Sequence, residues 1–137
     1  MPPIHSTQRD IVFGDCDPAG IVYYPNMYAW MDGTFHHYLL AFGGHQKVCA
    51  AVGSVGFGLF ETQARYARAL RIGDRLTIEM RIEDWARKAL KLSYRGVVGD
   101  QTAFEGTETR GFFEMRDGRM RAGEMAPLRS FLEDQAT

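Results

Sequence analysis

The chain has 137 residues, with 16 Lys plus Arg against 17 Asp plus Glu and a formal net charge of −1. That length is one domain, and 45% hydrophobic against 24% charged residues is globular composition, which excludes an intrinsically disordered chain. The balanced charge argues against a nucleic-acid partner, which is met as a rule by a basic excess.

Cys16 and Cys49 make neither a CxxC pair nor a zinc spacing, so no disulfide framework is expected. Met1-Pro2-Pro3-Ile4-His5-Ser6 lacks a charged start followed by an apolar stretch and does not read as a signal peptide. The uncharged run over 48–60 has 13 residues, four of them Gly or Ser, and is too short and broken to cross a bilayer. A cytoplasmic protein with no membrane partner is the expectation. No internal repeat or linker interrupts the chain, which reads as a single domain over 1–137.

The first predicted element is a strand over 4–13, with moderate alternation. Gly14-Asp15-Cys16-Asp17-Pro18-Ala19-Gly20 is dense in turn residues and reads as a loop. A helix is predicted over 25–42, about 27 Å long at 1.5 Å per residue. Pro25 suits its first position, and Gly43-Gly44 stops it. Tyr24, Tyr28, Met31, Phe35, Tyr38 and Phe42 recur at spacings of three and four and are predicted to share one face. A short helical turn over 45–52 follows. Strands are predicted over 55–66, 76–85, 89–98 and 102–115. In the second, Leu76, Ile78, Met80 and Ile82 alternate with Thr77, Glu79, Arg81 and Glu83. Gly99-Asp100 and Asp117-Gly118 are hairpin turns, and 127–132 is a short terminal helix. One strand, a long apolar helix and four antiparallel strands make an α+β fold. Its helix face needs the cover that a curved sheet supplies.

The chemistry concentrates between Asp15 and Pro25. Two carboxylates sit in a Gly/Pro loop eight and ten residues before the helix start at Pro25. A helix start offers unpaired backbone N–H groups and partial positive charge, which can polarise a carbonyl and hold an oxyanion. Pro25 has no N–H, which leaves the amide of Tyr24 or a neighbour as the donor. An ionised Asp17 can attack a carbonyl or activate water; alternatively both aspartates only shape the turn. A thioester suits so sparse a site, because a thiolate leaves without strong acid assistance. A metal at Asp-x-Asp lacks a third ligand nearby in sequence, so none is expected.

The run Phe13-Gly14-Asp15-Cys16-Asp17-Pro18-Ala19-Gly20-Ile21-Val22-Tyr23-Tyr24-Pro25-Asn26, then Trp30-Met31-Asp32, closely resembles the signature of the 4-hydroxybenzoyl-CoA thioesterases among the hotdog-fold acyl-CoA thioesterases. The similarity continues through Leu76-Thr77-Ile78-Glu79 and Asp84-Trp85-Ala86-Arg87-Lys88. It implies a hotdog fold, in which an antiparallel sheet wraps one long helix. It also implies edge-to-edge subunit pairing with active sites at the interface, and a homo-oligomer, dimer or tetramer. The family's catalytic carboxylate falls on Asp17, as nucleophile or general base, and its oxyanion donor on the amide of Tyr24. Asp32 matches the position that recognises a phenolic hydroxyl. Arg87 and Lys88 match part of a basic cluster for the CoA phosphates, and Ala86 stands where the family has another basic residue. CoA enters as part of the substrate, and no separate cofactor is implied. Glu61 is held in reserve as a second acidic residue. His36 and His37 read as surface or interface residues, and Cys16, with no evident activating base, as a packed thiol. The substrate so implied is an aromatic acyl-CoA such as 4-hydroxybenzoyl-CoA; a thioesterase for short aliphatic acyl-CoA or acyl-carrier-protein thioesters, a non-hydrolytic acyl-CoA-binding module and a hotdog hydratase are the rivals, and no His in the Asp17 loop speaks against the last.

Overall fold

The computed structural model describes residues 2–135. Strand β1 (His5–Asp10) leads to helix α1 (Pro25–Leu40), and helix α2 (His45–Val52) follows. Then come β2 (Leu59–Tyr66), β3 (Arg75–Trp85), β4 (Leu90–Val98), β5 (Gln101–Arg110), β6 (Phe112–Arg116), β7 (Arg119–Gly123) and helix α3 (Ala126–Gln135). Five strands form one antiparallel sheet in the order β1-β3-β4-β5-β2, and β6 pairs with β7 in a separate hairpin. The sheet packs on α1, as the hotdog expectation requires. Among the described residues no helix is long and apolar enough to cross a membrane.

Helix α1 buries Met27, Met31, Thr34, Phe35 and Leu39. This shifts the predicted stripe. Met31 and Phe35 lie in it, Tyr28, Tyr38 and Phe42 flank the core half-buried, and Tyr24 is 60% exposed. A phenol must keep its O–H near water or a partner, so the tyrosines border the seam that methionine and leucine fill. The helix meets the sheet at Gly106 of β5. A Cβ there would collide with Sδ of Met31 and lie 2.9 Å from the Gln63 carbonyl, so only glycine permits the approach. The regular helix stops at Leu40 rather than 42. Phe42 N–H donates to the Leu39 carbonyl at 2.9 Å, and Gly44 N–H closes on the same carbonyl at 2.9 Å, with Gly43 at φ +102.

Strands β3 and β4 lie where alternation places them, with Leu76, Ile78, Met80, Leu90, Leu92 and Tyr94 inward and buried. Other predicted strands are too long. The first ends at Asp10, because the Asp15 carboxylate accepts the Val12 N–H at 3.0 Å and pulls Phe13–Asp15 into a 3-10 turn. The second begins only at Leu59. Ahead of it, the Ser54 hydroxyl donates to the Phe113 carbonyl at 2.8 Å and Val55 N–H donates there too, tying that stretch to β6. The strand predicted over 102–115 breaks at Gly111, whose N–H donates to the Gly58 carbonyl at 2.8 Å. Asp117 and Gly118 have φ of +53 and +76, the paired left-handed conformation of a two-residue hairpin turn, and β7 follows them.

Candidate active site

The two aspartates of the loop differ in their surroundings. Asp15 is buried. Its Oδ1 accepts from Nη2 of Arg9 at 2.7 Å and its Oδ2 from the Val12 N–H. Burial pushes its carboxyl up, but the hydrogen bonds from Arg9 and Val12 outweigh this and hold it below the ordinary value. Both carboxylates make turn contacts, Asp15 to the Val12 N–H and Asp17 to the Ala19 N–H. Asp17 is half-buried, and its Oδ1 accepts the Ala19 N–H at 2.8 Å. Around it the backbone makes a narrow turn: Asp17 N–H donates to the Ile21 carbonyl, Gly20 N–H to the Asp17 carbonyl, and Cys16 pairs with Val22. Gly20 at φ +80 closes that turn. Asp17 is therefore presented by a fixed loop, with a carboxylate oxygen to spare.

The same loop is bolted to the start of α1. Tyr23 N–H donates to the Asp15 carbonyl at 3.0 Å, and Nδ2 of Asn26 donates to the same oxygen at 2.8 Å. Asn26 N–H bonds the Tyr23 carbonyl, Met27 N–H the Tyr24 carbonyl, and Pro25 has no donor. Among the described residues no acceptor meets the Tyr24 N–H. Tyr24 is the N-cap, without a side-chain cap, so this amide is the open donor at the positive end of a 16-residue helix. The Tyr66 hydroxyl, from edge strand β2, donates to the Tyr24 carbonyl at 3.2 Å and steadies the cap. Burial, then Tyr28 and Tyr24 nearby, push the Tyr66 phenol up to about 12, so it stays a donor.

Asp32 lies two turns along α1 and is 43% exposed at its side chain. Its Oδ1 accepts from Nη2 of Arg110 at 2.7 Å and faces Nε2 of His36 at 3.5 Å. The hydrogen bond from His36, then those and the charge of Arg110, outweigh burial and hold its carboxyl at about 2. Behind it is a buried polar cluster. Arg110 donates to Oε1 of Glu108 and to the Phe57 carbonyl, and the Tyr94 hydroxyl donates to Glu108 at 2.5 Å. Burial pushes Glu108 up, offset in part by Arg110; Glu108 and Asp32 keep Arg110 charged against burial. Sequence reasoning missed this cluster. The signal was there: Phe104, Gly106, Glu108 and Arg110 share the inward phase of β5, so two opposite charges stand where apolar residues are due.

Arg87 and Lys88 are exposed at the turn between β3 and β4 and border a groove of about 1050 Å³ against the β6–β7 hairpin and α3. Arg116 and Arg121 enter the same groove, as do Glu114 and Glu124. Arg87 already pairs with Glu124 at 3.0 Å. This groove has neither Asp17 nor Asp32 in its lining. The loop that carries Asp17 is thus tied to the helix start at Tyr24, apart from the groove that Arg87 and Lys88 border.

Glu61 is exposed on β2, where Oε1 accepts from Gln63. His37 shares a 2.8 Å hydrogen bond with His5. Cys16 donates weakly to the Val12 carbonyl at 3.6 Å. Burial and the neighbouring Asp15 and Asp17 charges push its thiol up, which disfavours a nucleophilic thiolate. Among the described residues no three His, Cys, Asp or Glu side chains cluster closely enough to hold a metal.

The pattern of the thioesterase-like superfamily matches residues 11–135. The chain is 36% identical over 126 residues to a 4-hydroxybenzoyl-CoA thioesterase of Pseudomonas sp. (strain CBS-3), covering 86% of this chain and 89% of that one. It is 28% identical over 108 residues to a 1,4-dihydroxy-2-naphthoyl-CoA hydrolase of Thermosynechococcus vestitus, covering 77% and 74%. The fold is similar to the crystal structure of a 4-hydroxybenzoyl CoA thioesterase mutant complexed with 4-hydroxybenzoyl CoA. That TM-score is 0.81 at 31% identity, over 92% of this chain and 96% of the other. It is also similar to a gentisyl-coenzyme A thioesterase, with a TM-score of 0.77 at 26% identity, over 90% and 98%.

Proposed function

The chain belongs to the thioesterase-like superfamily and is an acyl-CoA thioesterase, and on that premise we propose that it hydrolyses an aromatic acyl-CoA such as 4-hydroxybenzoyl-CoA to the free acid and CoA. The observation that carries the site assignment is the Tyr24 amide, an open donor at the start of α1 bolted to the loop that presents Asp17. The thioester carbonyl oxygen accepts from that amide. Charge building on the oxygen during attack is stabilised there by a donor that needs no reorganisation. Asp17 supplies the attack in one of two ways. As nucleophile, a carboxylate oxygen bonds the carbonyl carbon, the C–S bond breaks to release the CoA thiolate, and water then hydrolyses the mixed anhydride. As general base, it takes a proton from the water that attacks.

Asp32 accepts a hydrogen bond from a hydroxyl on the aromatic ring. Arg87 and Lys88 pair with CoA phosphates, for which the charged groove beside them is large enough. The active enzyme is a homo-oligomer, a dimer or tetramer. Edge strand β2 supports this: one side pairs with β5, while Leu59, Phe60 and Tyr66 are more than 40% exposed.

Thiol release from 4-hydroxybenzoyl-CoA, 1,4-dihydroxy-2-naphthoyl-CoA, benzoyl-CoA and a short aliphatic acyl-CoA tests the substrate class. Preference for the hydroxylated aromatic thioesters is expected, and an aliphatic preference overturns the reading. A single turnover in ¹⁸O water separates the two routes. Label on the Asp17 side chain marks the nucleophile with water attacking the Asp17 carbon of the anhydride; label in the released acid alone leaves water attack on the acyl carbon, and hydroxylamine trapping of the anhydride at Asp17 then separates nucleophile from base.

A further inference from the structure

Arg110 of β5 is buried and bonded to three separate segments of the chain. It is 2% exposed. Nε and Nη2 donate to Oε1 of Glu108 at 3.1 and 2.9 Å, Nη1 donates to the Phe57 carbonyl at 2.9 Å, and the guanidinium covers the Phe35 ring at 4.2 Å. The Glu108 pair and the carbonyl satisfy a buried cation. Nη2 nevertheless reaches across from β5 to the helix and takes Oδ1 of Asp32, at 2.7 Å the shortest of its hydrogen bonds. His36 faces the same oxygen from the next turn, at 3.5 Å. Among the described residues no donor reaches Oδ2, and the carboxylate is the one half-open member of the cluster. A rigid planar fork anchored on three sides fixes the plane and direction of the carboxylate it holds, as a flexible ammonium cannot.

We propose that Arg110 is the positioning residue for acyl-group selection. It holds Oδ1 of Asp32 and leaves Oδ2 of the half-exposed carboxylate without a donor, so the enzyme selects aromatic acyl groups that present a neutral hydrogen-bond donor, a hydroxyl or an amino group, over those ending in an acceptor. This inference rests on reading Asp32 as the residue that meets the ring substituent. An ionised carboxylate accepts and cannot donate, so a methoxy group in that place leaves Oδ2 desolvated and unpaired.

The test is kcat/KM for 4-hydroxybenzoyl-, 4-aminobenzoyl-, 4-methoxybenzoyl- and benzoyl-CoA with the wild type, Asp32→Asn and the double variant Glu108→Gln/Arg110→Gln. The double change removes both members of the buried pair, so neither charge is stranded. The wild type is expected to favour the hydroxy and amino substrates over benzoyl by about tenfold or more, and both variants to lose that ratio. The ratio compares two substrates on one enzyme, so a general loss of packing does not move it. A folded double variant with the wild-type ratio overturns the role of Arg110. An unchanged ratio in Asp32→Asn overturns the reading of Asp32 beneath it. Should the double variant fail to fold, Arg110→Lys keeps the charge but loses the fork, and an unchanged ratio there overturns the proposal equally. Equal rates on the methoxy and hydroxy substrates overturn the donor requirement.

Discussion

Arg9 and Asp15 meet at 2.7 Å between β1 and the turn that follows it, and their contact makes the loop a rigid support for Asp17. The two carboxylates of Asp-Cys-Asp are therefore separable by experiment. Asp15→Asn weakens the pairing with Arg9 and the Val12 N–H and is expected to cost about 1–3 kcal/mol of stability, read from urea unfolding. Asp17→Asn keeps an oxygen for the Ala19 N–H and is expected to leave stability within about 0.5 kcal/mol. It should lower thioester turnover about 10²–10⁴-fold. Full activity in Asp17→Asn would remove Asp17 from the chemistry.

Acid destabilises the fold through the carboxylates. Asp15 and Asp32 both have folded values below the ordinary value of 3.8, Asp32 at about 2. A depressed carboxyl adds stability above its unfolded value, and that contribution is lost as pH falls through the folded one, because the unfolded chain then binds more protons. The expected window is from about pH 4 down to about pH 2. Glu108, pushed up by burial, acts with the opposite sign at higher pH. Asp32 is 43% exposed, so solvent screening limits its share to on the order of 1 kcal/mol. Melting temperature against pH should be flatter below pH 4 in Asp15→Asn and Asp32→Asn than in the wild type. Parallel curves would contradict the assignment.

Arg87 and Lys88 are exposed, so their contribution to binding a polyanion is screened by salt. Arg87→Ala/Lys88→Ala should raise KM for acyl-CoA severalfold at low ionic strength, with the gap closing as salt is added. Glu124→Gln frees Arg87 from its 3.0 Å partner and should lower KM under the same conditions. A KM that ignores both changes would place the CoA phosphates elsewhere.

Phe60, on the open edge of β2, is 53% exposed. Phe60→Glu should shift sedimentation velocity from oligomer to monomer and abolish hydrolysis together with assembly. A monomeric wild type with full activity would show that one chain carries a complete site.

The loop at Asp17, the helix opened by Pro25 and the alternating strands β3 and β4 were legible in the sequence, because each rests on local rules. Turn residues punctuate, proline fits a first helical position, and a strand has period two. The recognised motif added the hotdog arrangement, and it is the source of the site assignments that the variants above test. Contacts between distant segments were not legible. Which side of α1 faces the sheet depends on Gly106, 75 positions after Met31, admitting its sulfur. The burial of Asp15 beside a half-buried Asp17 depends on Arg9 arriving from β1. Arg110 and Asp32, 78 positions apart, are joined only because β5 and α1 pack together. Local propensity determined the elements; close packing and the need to satisfy every buried charge decided which residues meet.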